Sequence, residues 1–280
     1  MTNSNPLRSH FRQPAVYIKL PSEGRYWAPD SISLPVTGEV GIMPMTAKDE
    51  IMLRTPDALM NGQGVVSVIE SCVPAIKNAW GMPTIDLDTI LIAIRIATYG
   101  DDMDIESKCP KCDVESRHKL GLGQILLRVR SPDYKKVMET EGLTIRFKPL
   151  NYFQTNKNNI IAFEEQKIIA LVNDEEIDNE TRKAQFDIHL QNIVENNVSL
   201  LSLATESITT ESGEVVTDQN HISEFYRNGN SRVIKQVQNF LRELTSVANL
   251  PPARVQCEAC SEEYNVTVSF DYANFFEPLS

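Results

Sequence analysis

The sequence predicts an α+β fold that is mainly α-helical, with a small N-terminal sheet and two cysteine knuckles closing a long helical insertion. Three observations carry this expectation. Cys109-Pro110-Lys111-Cys112 recurs in kind as Cys257-Glu258-Ala259-Cys260, and the two-residue spacing lets a tight turn aim both sulfurs of a pair at one point. Apolar residues return at helical spacing in several stretches between Ala47 and Leu244. Short alternating runs, Ala15 to Leu20 and Ile32 to Met43, supply the strands of the sheet.

Taken in order, Met1 to Gln13 is polar and has little to bury, so it reads as a tail. Ala15 to Leu20 alternates as a strand, and Pro21-Ser22-Glu23-Gly24 is a turn. Ile32 to Pro35 and Glu39 to Met43 continue in β fashion around Gly38. Thr46 is placed to N-cap a helix from Ala47 to Arg54, with Asp49 in the first turn where the helix dipole favours an acid. Thr55 and Pro56 start a short helix to Met60, ended by Asn61-Gly62. Val65, Ile69 and Cys72 mark the buried side of another, which Pro74 stops. From Asp86, the residues Leu87, Ile90, Leu91, Ile94 and Ala97 follow the helical period, while Ile92, Ala93 and Ile96 make the opposite face apolar too. This is the expected central core helix, closed by Gly100.

Beyond the first cysteine pair, Val114 to Leu120 reads as a strand, as does Leu143 to Phe147 after the Ser131-Pro132 break. Phe153 to Val172 and Glu180 to Leu203 suit two helices, paired as a hairpin through the acidic turn Asn173 to Asp178, with Asn179 as a cap. Ser207 to Asp218 resembles a β-hairpin, and Ile222, Phe225, Val233, Val237, Phe240, Leu241 and Leu244 continue in helical spacing. Pro251-Pro252 delivers the chain to the second cysteine pair, and Tyr264 to Phe270 alternates as a strand.

The two pairs are separated by 144 residues, far more than the roughly 15–20 of a common ribbon pattern. If Cys109, Cys112, Cys257 and Cys260 converge, four thiolates suit a tetrahedral structural zinc with no open position for water or substrate. Two other readings stand beside a shared, zinc-ribbon-like site. One is a redox Cys-x-x-Cys, for which neither pair has the βαβ context; the other is four unliganded thiols. His118 could in principle replace a cysteine as ligand, though four thiols leave it no vacancy, and a strand surface position accounts for it. Cys72 lies in an apolar run and reads as a small buried hydrophobe.

Composition narrows the function. At 280 residues the chain can bury one substantial core or two smaller ones. A net charge of −11 disfavours general affinity for nucleic acid, which depends on cations displacing counterions from phosphates. The longest apolar stretch, Ile85 to Tyr99, is broken by Asp86, Asp88 and Arg95 and falls short of the roughly 20 residues that span a bilayer. No secretory signal opens the chain, so it is expected in the cytoplasm when made. Asp49 and Glu50 are neighbours on a helix and point about 100° apart, so they do not converge as an acid–base pair. His10, His118, His189 and His221 are scattered without ligand spacing, and Gly121-Leu122-Gly123 is too short for a dinucleotide loop. The expectation is a protein that is not an enzyme.

Tyr17 to Gly24, Pro44 to Leu53, Asn61-Gly62, and the Leu87 to Gly100 helix leading into Cys-x-x-Cys form an ordered series over about the first 120 residues. The series resembles the baseplate hub proteins of T4-type contractile-tailed bacteriophages. The resemblance implies a structural or assembly protein of the tail baseplate hub, assembled in the host cytoplasm, with other baseplate or hub proteins as partners. The expected organisation is a tail at 1–13, a baseplate-like domain with the first knuckle at 14–120, a mainly helical insertion at 121–252 that carries no part of this series, and the second knuckle with a strand at 253–280. A zinc-ribbon adaptor of phage transcription or replication is the alternative, supported by the local basic run Arg117, His118, Lys119, Arg128, Arg130, Lys135 and Lys136.

Overall fold

The computed structural model describes residues 6–53, 55, 62–172, 179–267 and 275–276. The chain divides into two compact units, one made of residues 1–131 and 248–280, the other of residues 132–247. The expected Pro56 to Met60 helix, the Asn173 to Asp178 turn, and the end of the Tyr264 to Phe270 strand lie outside the described residues.

In the discontinuous unit, strands β1 (Val16–Lys19) and β2 (Glu39–Ile42) pair antiparallel, with Val16 opposite Ile42 and Lys19 opposite Glu39. Alternation sends Ile18, Val40 and Ile42 into the core, as the period-2 pattern requires. Ile32 joins only an isolated bridge to Ile76, so the expected strand there shrinks to one pairing. Helix α1 (Ala47–Leu53) starts where Thr46 places it, because the Thr46 hydroxyl accepts from Asp49 N–H at 3.3 Å while Asp49 Oδ2 accepts from Thr46 N–H at 2.8 Å. Helix α2 (Gln63–Cys72) follows Gly62, whose φ of 76° needs glycine. Helix α3 (Leu87–Tyr99) is the expected core helix: Ile90 to Ile94 are all buried, and Gly100 ends it at φ 93°. Residues 102–108 and 115–121 form β3 (Asp102–Lys108) and β4 (Glu115–Gly121), followed by α4 (Leu122–Arg128).

The 132–247 unit is built on a four-stranded antiparallel sheet in the order β5 (Val137–Thr140), β6 (Leu143–Phe147), β7 (Thr205–Thr209), β8 (Val215–Val216). Between β6 and β7 the chain makes the helical excursion α5 (Tyr152–Val172) and α6 (Asn179–Ala204). Helices α7 (Gln219–Asn228) and α8 (Ser231–Ser246) complete the unit. Asp218 and Asn230 cap them, accepting from Asn220 N–H at 2.8 Å and Arg232 N–H at 2.9 Å. Ile145, Phe147 and Ile208 of the sheet are buried, as are Ile222, Tyr226, Val233 and Val237 of the helices, and the Phe147 and Phe240 rings lie 5.5 Å apart.

The expectation of a mainly helical chain with a zinc-ribbon-like knuckle pair is overturned. The architecture is mixed, with four small sheets among the described residues, and the cysteine pairs sit on two separate two-stranded hairpins. Two physical causes hid this. Strand β3 carries charges at many positions because it is half-exposed, so it lacks the apolar run that marks a buried strand. In the second unit, β6 pairs with β7 across the whole helical excursion, a long-range pairing with no local periodic signature.

Candidate metal centre

The centre is assembled from the turns of two hairpins within the discontinuous unit. The first joins β3 to β4, and the second joins β9 (Ala253–Gln256) to β10 (Glu263–Val266). The two turns repeat one backbone design. Cys109 N–H donates to Val114 C=O at 3.0 Å and Asp113 N–H to Cys109 C=O at 3.0 Å; Cys257 N–H donates to Glu262 C=O at 2.8 Å and Ser261 N–H to Cys257 C=O at 2.9 Å. In both, the residue after the second cysteine adopts the left-handed conformation, Asp113 at φ 58° and Ser261 at φ 59°. Asp enters that region more readily than most residues. This repeated left-handed position is part of the site that spacing alone did not reveal.

The four sulfurs converge. The candidate ligand atoms of Cys109, Cys112, Cys257 and Cys260 all lie within 4.8 Å of one another, Cys109 and Cys257 buried and the other two half-buried. Cys109 Sγ is 3.7 Å from Cys260 Sγ, and Cys112 Sγ is 3.6 Å from Cys257 Sγ. These are contacts between free thiols, well beyond the roughly 2.05 Å of a disulfide. The thiols also compete for charge. Cys257 is held down to about 6, first by the backbone N–H of Cys260 and also by that of Ala259. Cys112 accepts from the backbone N–H of Val114, yet desolvation and the three neighbouring thiols push it up to about 12. Four thiolates this close repel one another unless a cation shares them, so the arrangement can bind a metal ion with release of the remaining protons.

Around the sulfurs, Tyr264 OH lies 2.7 Å from Ser107 Oγ and 3.2 Å from His118 Nε2, linking one hairpin to the other. His118 meets the Tyr264 ring edge-on at 6.1 Å and belongs to this strut rather than to the thiol cluster. Lys111 Nζ reaches Glu262 at 2.8 Å, an exposed pair screened by solvent. Tyr264 was legible only as one member of an alternating strand, because its partners Ser107 and His118 lie more than a hundred residues away.

The remaining singled-out residues have structural roles. Cys72 is fully buried, and its thiol is pushed up to about 12, chiefly by burial. Asp49 and Glu50 diverge as expected: Asp49 caps α1, while Glu50 accepts from Tyr99 OH at 2.9 Å. Among the described residues, no helix is long and apolar enough to cross a membrane.

Comparison with curated proteins and with solved structures gives no match. A family model described as T4 bacteriophage base plate protein matches residues 18–277. That span runs from the first strand to beyond the second knuckle, taking in every thiol of the centre, and the chain belongs to the T4 bacteriophage base plate protein family.

Proposed function

We propose that the protein is a component of the baseplate hub of a contractile phage tail, working through protein–protein contacts rather than catalysis, with a structural zinc at Cys109, Cys112, Cys257 and Cys260. The observation that carries the zinc is the geometry of the thiols. A tetrahedral ion with Zn–S bonds of about 2.3 Å sets its sulfurs about 3.8 Å apart. The facing pairs at 3.7 and 3.6 Å match that spacing closely. Four soft sulfur donors with no oxygen or nitrogen ligand favour zinc over magnesium or calcium, and leave no coordination position for a reaction. The family supports the tail baseplate as the setting. Assembly in the host cytoplasm fits, since reduced thiols persist there to take up metal.

In this role the ion fastens hairpin 102–121 to hairpin 253–266, so that the two ends of the discontinuous unit hold together. The 132–247 unit, with its α5–α6 excursion, is the contact element we assign to partner recognition. Purified protein is expected to carry about one zinc per chain by elemental analysis. Cys257→Ser should lose both the zinc and the folded structure of residues 102–121, and full zinc retention by that variant would refute the shared site. Co-expression with hub components, followed by affinity purification, tests the hub. Shortening α5 and α6 from their tips should weaken co-purification at unchanged zinc content, whereas undiminished co-purification would remove the excursion from the interface.

A further inference from the structure

The two knuckles meet crosswise. The first cysteine of each faces the second of the other, Cys109 against Cys260 at 3.7 Å and Cys112 against Cys257 at 3.6 Å. Each knuckle is already closed by its own main-chain hydrogen bonds, so its two sulfurs are free to point outward at the opposing pair. The Ser107–Tyr264 and Lys111–Glu262 contacts hold the hairpins face to face, which keeps each thiol at a high effective concentration beside its cross partner.

We propose that this cluster is also a site of covalent modification, where a hydroperoxide-class oxidant converts the four thiols into two disulfides, Cys109–Cys260 and Cys112–Cys257. The inference rests on the reading above only in treating the four thiols as one cluster; it does not depend on which metal they hold. In the first step a thiolate attacks one peroxide oxygen, the O–O bond breaks, hydroxide leaves and a sulfenic acid forms. In the second, the facing thiolate attacks the sulfenic sulfur, the S–S bond forms and a second hydroxide leaves. Each disulfide thus consumes one hydrogen peroxide and gives up two electrons, and the two hydroxides become two waters with the thiol protons. Where a divalent ion is bound, it departs as its four thiolates are used.

Cross pairing brings each sulfur toward a partner it already faces, from about 3.7 Å to the roughly 2.05 Å of the bond, by side-chain rotation. Pairing within a knuckle competes with it, because all four sulfurs lie within 4.8 Å of one another. The consequences also differ. Cross bonds close loops of 150 and 144 residues, whereas bonds within a knuckle close loops of two, and the restriction of the unfolded chain grows with loop length. The hairpins therefore stay fastened after the metal is gone, which gives the cluster one fastening for a reducing compartment and another for an oxidising one.

The test titrates the full-length protein, as purified, with hydrogen peroxide, blocks residual thiols with N-ethylmaleimide and maps disulfides by mass spectrometry of unreduced digests. At two equivalents, the expected products are the Cys109–Cys260 and Cys112–Cys257 peptides, with any bound zinc released in step. Disulfides confined to Cys109–Cys112 and Cys257–Cys260, or sulfinic acids without linkage, would overturn the proposal. The double variant Cys112→Ser/Cys257→Ser retains one facing pair and should still form Cys109–Cys260, while a thiol count unchanged by peroxide argues against it. Wild-type mapping stands independently of how that variant folds. Cross disulfides in a protein that purifies without zinc would refute the metal reading and support this one; zinc with disulfides inside the knuckles would do the reverse.

Discussion

Arg12 shows how much one side chain from an apparent tail can organise. Its guanidinium donates to Pro44 C=O at 2.9 Å, Asp49 Oδ2 at 3.2 Å, Ser71 C=O at 2.7 Å and Ser71 Oγ at 2.8 Å. Asp49 is almost wholly buried, so Arg12→Ala leaves its carboxylate without its cation; because Arg12 itself is partly exposed, we expect a cost of about 2–3 kcal/mol in urea unfolding rather than the larger value of a fully buried pair. Deleting residues 1–13 should destabilise to the same degree, which separates a folding defect from any lost partner contact. Thr46→Ala removes one arm of the capping box and should cost on the order of 1 kcal/mol in the same assay. Asp86 gives a pH signature. It is fully buried, and desolvation raises its carboxyl to about 6 against the donors Ser22 N–H, Ser22 Oγ–H and Trp27 Nε1–H. With the folded value above the unfolded one, the native state holds the extra proton, so this group's stabilising contribution is complete below about pH 4 and is lost as pH rises through about 6. Relative to Asp86→Asn, wild-type stability should fall by on the order of 2 kcal/mol between pH 4 and 7. A pH-independent difference in urea midpoints would show that Asp86 does not titrate there.

At the scale of elements, α3 was the most legible feature because its signal is both periodic and dense. Its thirteen residues put Ile90 to Ile94 in the core without a break, which a surface helix could not do. The strand β6 carries an analogous weight in the 132–247 unit. Phe147 is fully buried at its end, against Phe240 of α8, so Phe147→Ala should cost about 3–5 kcal/mol, measured as loss of that unit's cooperative unfolding transition. A smaller loss would mean that the sheet and α8 close over the cavity. Helices α5 and α6 are built differently. Phe163, Ile188 and Val194 are exposed, while Asn158 and Asn196 pair across the seam at 2.5 Å. A polar pair in such a seam sets register more than it adds stability.

For the whole molecule, the proposed metal predicts a localised response to chelation. The four candidate ligands lie on hairpins 102–121 and 253–266, both in the discontinuous unit. Chelation is expected to raise amide hydrogen exchange across β3, β4, β9 and β10 while leaving β6, β7 and α8 protected, read by exchange mass spectrometry. Uniform deprotection of both units would show that the metal supports the entire chain. The exchange map also bears on function, since protected α5 and α6 in zinc-free protein would let partner binding be tested apart from the metal.

Much of this was carried by local chemistry. Two-residue cysteine spacing, the Thr46 cap, the apolar period of α3 and the β6 strand each arise from residues within a few positions of one another, so a single sequence displays them. The convergence of two knuckles 144 residues apart is different in kind: the spacing says that each pair can bind, and only tertiary packing brings all four sulfurs within 4.8 Å. The same holds for the Ser107–Tyr264–His118 strut, for Arg12 beside Asp49, and for the β6–β7 pairing that makes the second unit a sheet with helices rather than a helical insertion. Periodicity records which face a segment buries, but not the distant segment that covers it; that choice depends on the summed packing of the whole chain.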